Sequence, residues 1–97
     1  MTLIVSVEIE KKLLNKHNVQ KQEVIECFAN RDSEFLINDR EEHRTNPQTY
    51  WFIAQTNYRR RLKVYFVPRP NRNGGVDIYL KTALEPKQHH IDLYENA

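Results

Sequence analysis

Two stretches of this 97-residue chain alternate strictly between two faces. In Leu62 to Val67, Leu62, Val64 and Phe66 fall on one side and Lys63, Tyr65 and Val67 on the other. Val76 to Lys81 repeats the code, with Val76, Ile78 and Leu80 against Asp77, Tyr79 and Lys81. A period of two is the signature of a strand with one buried face. Between them, Pro68 to Gly75 contains Asn73-Gly74-Gly75, residues that tolerate positive φ and suit a hairpin. Thr49 to Thr56 (TYWFIAQT) reads as a further strand, joined to the first through Asn57 to Arg61. Thr2 to Val7 reads as a short strand or an extended arm and Glu34 to Ile37 as a further strand candidate, giving an antiparallel meander of about three to five strands.

Helical spacing flanks the meander. Ile9, Leu13 and His17 recur at i, i+4, i+8 within Glu8 to His17. Asn18 and Val19 break that helix, and Asn18 is the expected N-cap of a second one running to about Ala29. Val24, Ile25 and Phe28 form its apolar stripe, with Cys27 beside it. Pro86 suits the first turn of a C-terminal helix that carries Ile91, Tyr94 and Lys87 on one stripe. The order predicts an α+β two-layer domain over residues 1–97, with the helices on one face of the sheet.

Composition narrows the classes. Apolar residues are 39%, and four Phe, one Trp and five Tyr supply bulky groups to bury, which argues against a disordered chain. No apolar run approaches the roughly 18 residues of a membrane span. The opening MTLIVSVEIEKK is too soon charged to read as a signal peptide. One cysteine permits no internal disulfide, so a cytoplasmic setting is expected. Rossmann domains and TIM barrels need longer chains.

Charge is unevenly placed. The net charge is only +2, yet Arg59 to Arg72 holds six basic residues and no acidic one. The expected register sets Lys63 opposite Lys81 and Tyr65 opposite Tyr79. Like charges facing each other are unfavourable unless an anion lies between them. Lys and Arg with interleaved Tyr suit phosphates and stacked bases. A solvated sheet face with edge lysines is the plainer alternative.

Other chemistry is sparse. His43, within Asp39-Arg40-Glu41-Glu42-His43-Arg44, is a general acid or base candidate in a polar loop. His17 suits a helix C-terminus. His89 and His90 are adjacent and point different ways on a helix, with no zinc-type spacing around them. Cys27 reads as a small buried hydrophobe. No P-loop, GxGxxG, HExxH or GxSxG motif is present.

Lys16-His17-Asn18-Val19, then Glu23-Val24-Ile25 and Cys27-Phe28, resembles the K-H-G-V…E-A…V-F signature of BrnT-like toxins of the RelE/ParE toxin–antitoxin superfamily. The likeness continues through Glu42-His43-Arg44, Arg61 to Phe66, Ile78 to Ala83 and a terminal Tyr94-Glu95. The resemblance implies a small antiparallel sheet packed on helices. It also implies a metal-independent endoribonuclease that blocks translation, with RNA (ribosome-bound mRNA included) and a cognate antitoxin as partners. No cofactor and no membrane partner is expected. One departure matters: the family's usual arginine after the Ser-Ala of the penultimate strand is Leu84 here, after Thr82-Ala83. The chain is also similar to short bacterial proteins with E-H-R-T-x-P, W-F-I-A-x-T-N and T-A-x-E-P, often labelled ADP-ribosyl-(dinitrogen reductase) hydrolases. Known hydrolases of that type resemble much larger helical proteins with paired Mg²⁺, and this chain has too few residues for that fold.

RNA cleavage by 2′-hydroxyl attack needs a base, an acid and cations around the phosphorane. On the toxin reading, Arg61, Lys63 and Lys81 supply the charge and His43 the acid/base function. Tyr65 or Tyr79 stacks a base or donates a proton. Arg44, Arg59, Arg60, Arg69 and Arg72 hold the strand. The alternative is an inactive RNA- or protein-binding module on the same fold, which Leu84 favours. A strand edge such as Tyr50 to Ala54, or the N-terminal arm, would serve for oligomer or antitoxin pairing.

Overall fold

The computed structural model describes residues 2–37 and 47–97. These form an α+β domain around one five-stranded mixed sheet. The strands are β1 (Thr2–Ile4), β2 (Leu36–Ile37), β3 (Tyr50–Gln55), β4 (Arg61–Pro70) and β5 (Val76–Leu84), in the spatial order β1-β5-β4-β3-β2. The β2–β3, β3–β4 and β4–β5 pairs are antiparallel, but β1 runs parallel to β5, so the sheet is not the wholly antiparallel meander expected. The N-terminal arm is thus an edge strand of the sheet.

Helix α1 (Val7–Lys12) continues into a π-helical turn, Leu13–His17, and α2 (Lys21–Asn30) follows. Asn18 does not cap α2. It closes the π turn in the left-handed region at φ 52, its N–H bonded to the Leu13 carbonyl. Asparagine tolerates that conformation better than any β-branched residue. The cap of α2 is Gln20, which forms a reciprocal capping box with Glu23. Val19, between the two helices, is fully buried rather than a mere break.

The core lies between these helices and one sheet face. Leu62, Val64, Phe66, Ile78 and Leu80 are buried as the alternation requires, but Val76 at the mouth of the hairpin is exposed. On α2 the inward stripe is Val24, Cys27 and Phe28, an i, i+3, i+4 set, and Ile25 turns outward. All four phenylalanines meet in one cluster: Phe28–Phe52 and Phe35–Phe66 centroids are 4.7 Å apart, Phe35–Phe52 5.3 Å and Phe28–Phe66 5.4 Å. The Arg31 guanidinium sits 3.9 Å over the Phe35 ring.

Not every helix lies on that face. Helix α3 (Gln88–Glu95) packs Tyr94 against Trp51, whose ring points away from the Phe52 side. The centroids are 5.6 Å apart, and the Tyr94 hydroxyl donates to the Glu34 carbonyl. Burial pushes that hydroxyl's pKa upward. Lys87 is the N-cap of α3, and Pro86 stands just outside the helix. Pro68 and Pro70 lie in β4 beyond the last residue paired to β3, where the strand has only β5 beside it. An edge is where a sheet tolerates proline.

Because Asn18 holds a positive φ, Asn18→Gly is expected to keep or raise stability, whereas Asn18→Val is expected to lower it by about 1–2 kcal/mol. Urea unfolding of the three proteins checks this; equal midpoints for the Gly and Val variants would contradict it.

Candidate nucleic-acid interface

The hairpin of β4 and β5 places the predicted residues differently from a simple alternation. The turn centres on Asn73. The Asn71 side chain accepts from the N–H groups of Asn73 and Gly75, and Gly74 takes φ 80. That moves the pairing two residues from the expected register, so Phe66 faces Leu80 and Val67 faces Tyr79. A β-bulge then inserts Lys81, and beyond it Tyr65 faces Thr82 and Lys63 faces Leu84. Lys63 and Lys81 are therefore not opposed, nor are Tyr65 and Tyr79. No facing pair of lysines is left for an anion to bridge.

Lys63 is buried, only 4% exposed. Its ammonium lies 4.5 Å from the Trp51 ring centroid and 4.9 Å from that of Tyr65. Two π faces are a favourable setting for a cation with so little access to water. The alternation of β3 explains the arrangement: Phe52 and Ala54 go to the core, so Trp51 and Ile53 go to the face that Lys63 shares. Trp51 is not among the expected site residues. Its odd-numbered place beside Phe52 is the signal that could have found it.

The accessible cations lie along the same face. Arg61 is exposed at the start of β4, opposite Gln55, and Lys81 is exposed at the bulge. The Arg69 guanidinium lies 5.3 Å over the Tyr79 ring, and Tyr79 is itself 38% exposed. Arg69, Tyr79 and Lys81 border an open hollow of about 430 Å³ floored by Ile4 and Val67. Arg72 is exposed in the hairpin loop, and Arg59 is exposed with φ 65. At about 3.3 Å per residue, Arg61 and Arg69 stand roughly 26 Å apart along β4. The geometry is a strip with cations at both ends and the middle, not one compact pocket. His43 and Arg44 lie outside the described residues.

Arg60 points inward and is committed. Its guanidinium bonds both carboxylate oxygens of Glu23 (3.1 and 3.0 Å), Glu85 (3.0 Å), and the carbonyls of Asn18 (2.7 Å) and His17 (3.1 Å). Desolvation pulls its pKa down, but the bonds and charges of Glu23 and Glu85 outweigh it and hold the value above its ordinary one. Nothing in a run of three arginines marks the middle one for this role.

Cys27 is buried, and its thiol donates to the Ala54 carbonyl at 3.6 Å. Burial, with Glu23 and Glu26 nearby, pushes its pKa up to about 12. A thiol so protonated is no nucleophile. The β3 edge expected to be open is largely engaged: β2 pairs with Tyr50 and Trp51, and Cys27 and Asn30 bond the Ala54 and Gln55 carbonyls. Among the described residues no three His, Cys, Asp or Glu side chains gather as metal ligands would, and no helix is long and apolar enough to cross a membrane. No protein-family model matches the sequence, and comparison with curated proteins gives no match.

Two outcomes follow. Arg60→Ala is expected to cost about 2 kcal/mol, since it strips several charge-assisted bonds from a partly exposed group, and Arg60→Lys to recover less than half of that. A loss below about 0.5 kcal/mol for Arg60→Ala would contradict the role. The second concerns pH. An unfolded thiol titrates near 8.5, while folded Cys27 holds its proton to about 12. Between those values the unfolded chain has lost a proton that the native state keeps. Stability must then fall as pH rises, by up to about 1.4 kcal/mol per unit. Urea midpoints at neutral and alkaline pH should fall more steeply for the wild type than for Cys27→Ala; parallel curves would refute the assignment.

Proposed function

We propose that this chain is an endoribonuclease of the toxin–antitoxin kind, binding single-stranded RNA along the outer face of β4 and β5 and cleaving it without a metal. The observation that supports it most is the alternation of exposed cations, Arg61, Lys81 and Arg69, with two rings on that face, the half-buried Tyr65 and the exposed Tyr79. Cations hold phosphates, and rings accept bases whose faces are free in single strands. A bulge re-aims a side chain at the point of insertion, which makes Lys81 the best placed to meet the scissile phosphate. Lys63 acts from beneath, fixing the Trp51 and Tyr65 rings and adding positive potential.

In the proposed reaction a base removes the 2′-hydroxyl proton and the 2′ oxygen attacks phosphorus. The 5′ oxygen then leaves with a proton from an acid, giving a 2′,3′-cyclic phosphate and a free 5′-hydroxyl. His43 is the acid/base residue on this reading, and a cognate antitoxin neutralises the face. A second reading is RNA binding without cleavage. It is favoured by Leu84, which stands at the resembled family's arginine position and directly opposite the buried Lys63. There an arginine would have formed a cation pair across the strands.

Induced expression with primer extension, and purified protein with RNA in EDTA, tests both. Growth arrest and discrete new RNA ends that persist in EDTA are expected. Lys81→Ala should slow cleavage on the order of 10²-fold. Intact RNA with binding that weakens as salt rises would establish the second reading. Neither cleavage nor binding would remove both.

A further inference from the structure

Among the large hydrophobic side chains of the described residues, the most exposed is carried by a densely hydrogen-bonded turn. Tyr58 is 92% exposed in the link between β3 and β4. Every backbone N–H from Thr56 to Arg60 has an acceptor. Thr56 donates to the Arg60 carbonyl at 2.8 Å, and Arg59 to the Thr56 carbonyl at 3.0 Å. Tyr58 and Arg60 both donate to the Thr56 hydroxyl, at 3.3 and 3.1 Å, and Thr56 itself is buried. Asn57 donates to Glu26 of α2 at 2.9 Å, and its side-chain oxygen accepts from Asn30 at 3.0 Å. Arg59 is held at φ 65, a conformation that costs energy in a residue other than glycine. Arg60 then anchors the turn to α2 and to the end of the π turn.

A flexible loop with a solvated tyrosine needs no such framework. Here the helix, the threonine and the arginine fix the backbone on both sides of the ring, while the ring itself stays in water, one residue before the exposed Arg59 and three before the exposed Arg61. An accessible aromatic on a fixed backbone, with exposed cations close in sequence, suits stacking on a nucleobase: the ring receives the base and the guanidinium groups receive its phosphates. We infer that Tyr58 is a base-stacking residue that receives an unpaired nucleobase of single-stranded RNA at the Arg61 end of the strip. This rests on the RNA reading above and adds to it a residue outside the alternating strands.

Binding of a short 2′-O-methyl RNA strand tests it, since that backbone lacks the attacking hydroxyl and cannot be cleaved by this chemistry. Tyr58→Ala is expected to weaken binding about 5- to 100-fold, with an unchanged urea midpoint. Tyr58→Phe and Tyr58→Trp should bind nearly as the wild type. Indole fluorescence of the Tyr58→Trp variant should change on binding, over a background from the buried Trp51. An oligonucleotide with one abasic site at the stacked position should bind wild type and Tyr58→Ala alike. If the wild type binds RNA and Tyr58→Ala binds equally well, the stacking inference is overturned and the RNA reading stands. If the wild type binds no RNA, both are overturned.

Discussion

The Arg60 guanidinium ties the β3–β4 turn that carries it to the end of the π turn, the start of α2 and the exit from β5. It accepts no substitute easily, because it satisfies two kinds of group at once. The His17 and Asn18 carbonyls end a helical turn, and helix ends leave carbonyls without intrahelical partners. Glu23 belongs to the capping box that starts α2, and Glu85 begins the segment leading to α3. A planar fork with five donors can serve all of these, whereas a lysine offers a single point of charge. The junction of the first helices, the β3–β4 turn and the exit from β5 are therefore set relative to one another by one side chain. Glu26 and Asn30 of α2 extend the same attachment to Asn57, and Asn30 also reaches the Gln55 carbonyl.

Fixing that turn has consequences along the sheet. β4 leaves it with Leu62 directed to the core, so Lys63 is directed to the other face beneath Trp51 and Tyr65. That face is not simply solvated. Near β3 it is covered, with Trp51 and Ile53 buried and Tyr94 of α3 against the indole. Towards β5 it opens, and there Lys81, Tyr79 and Arg69 are exposed. The bulge separates these two zones. Without it, Lys81 would occupy a regular place in the ladder, and Leu84 would not stand across from Lys63.

Much of the fold was legible. Alternation located β4 and β5 and their inner residues, and apolar spacing located α1 and α2, because burial imposes those periods directly. Two expectations of arrangement failed, the wholly antiparallel sheet and the placing of every helix on one face, and the other failures were matters of one or two residues. The hairpin register depended on which residue of an Asn- and Gly-rich loop carries the turn, and the Asn71 side chain decided it. The helix boundary depended on whether Asn18 caps the element before it or the one after it. Ile25 and Val76 are apolar yet exposed, so composition alone could not sort the stripe from its neighbours. The side of the sheet taken by α3 followed from Trp51, since a tryptophan buried on the outer face needs a cover. The site was less legible than the fold. Its cations could be counted, but not their access to water.

Arg59, Arg60, Arg61 and Lys63 carry one formal charge each and lie within five positions, yet they have four different environments. Arg59 is exposed on a strained turn residue, Arg60 is held by acids and carbonyls, Arg61 is exposed on a strand and Lys63 lies under two rings. Phosphate recognition draws on cations that exchange water and counterions for the ligand. Arg60 already has its ligands, and Lys63 has almost no water to exchange. The effective charge of this face is therefore lower than the sequence count and is concentrated at Arg59 and Arg61, at Lys81, and at Arg69 and Arg72. On the proposed RNA reading, a strand that meets all three groups runs lengthwise along β4, as an extended single strand does and a compact anionic ligand does not.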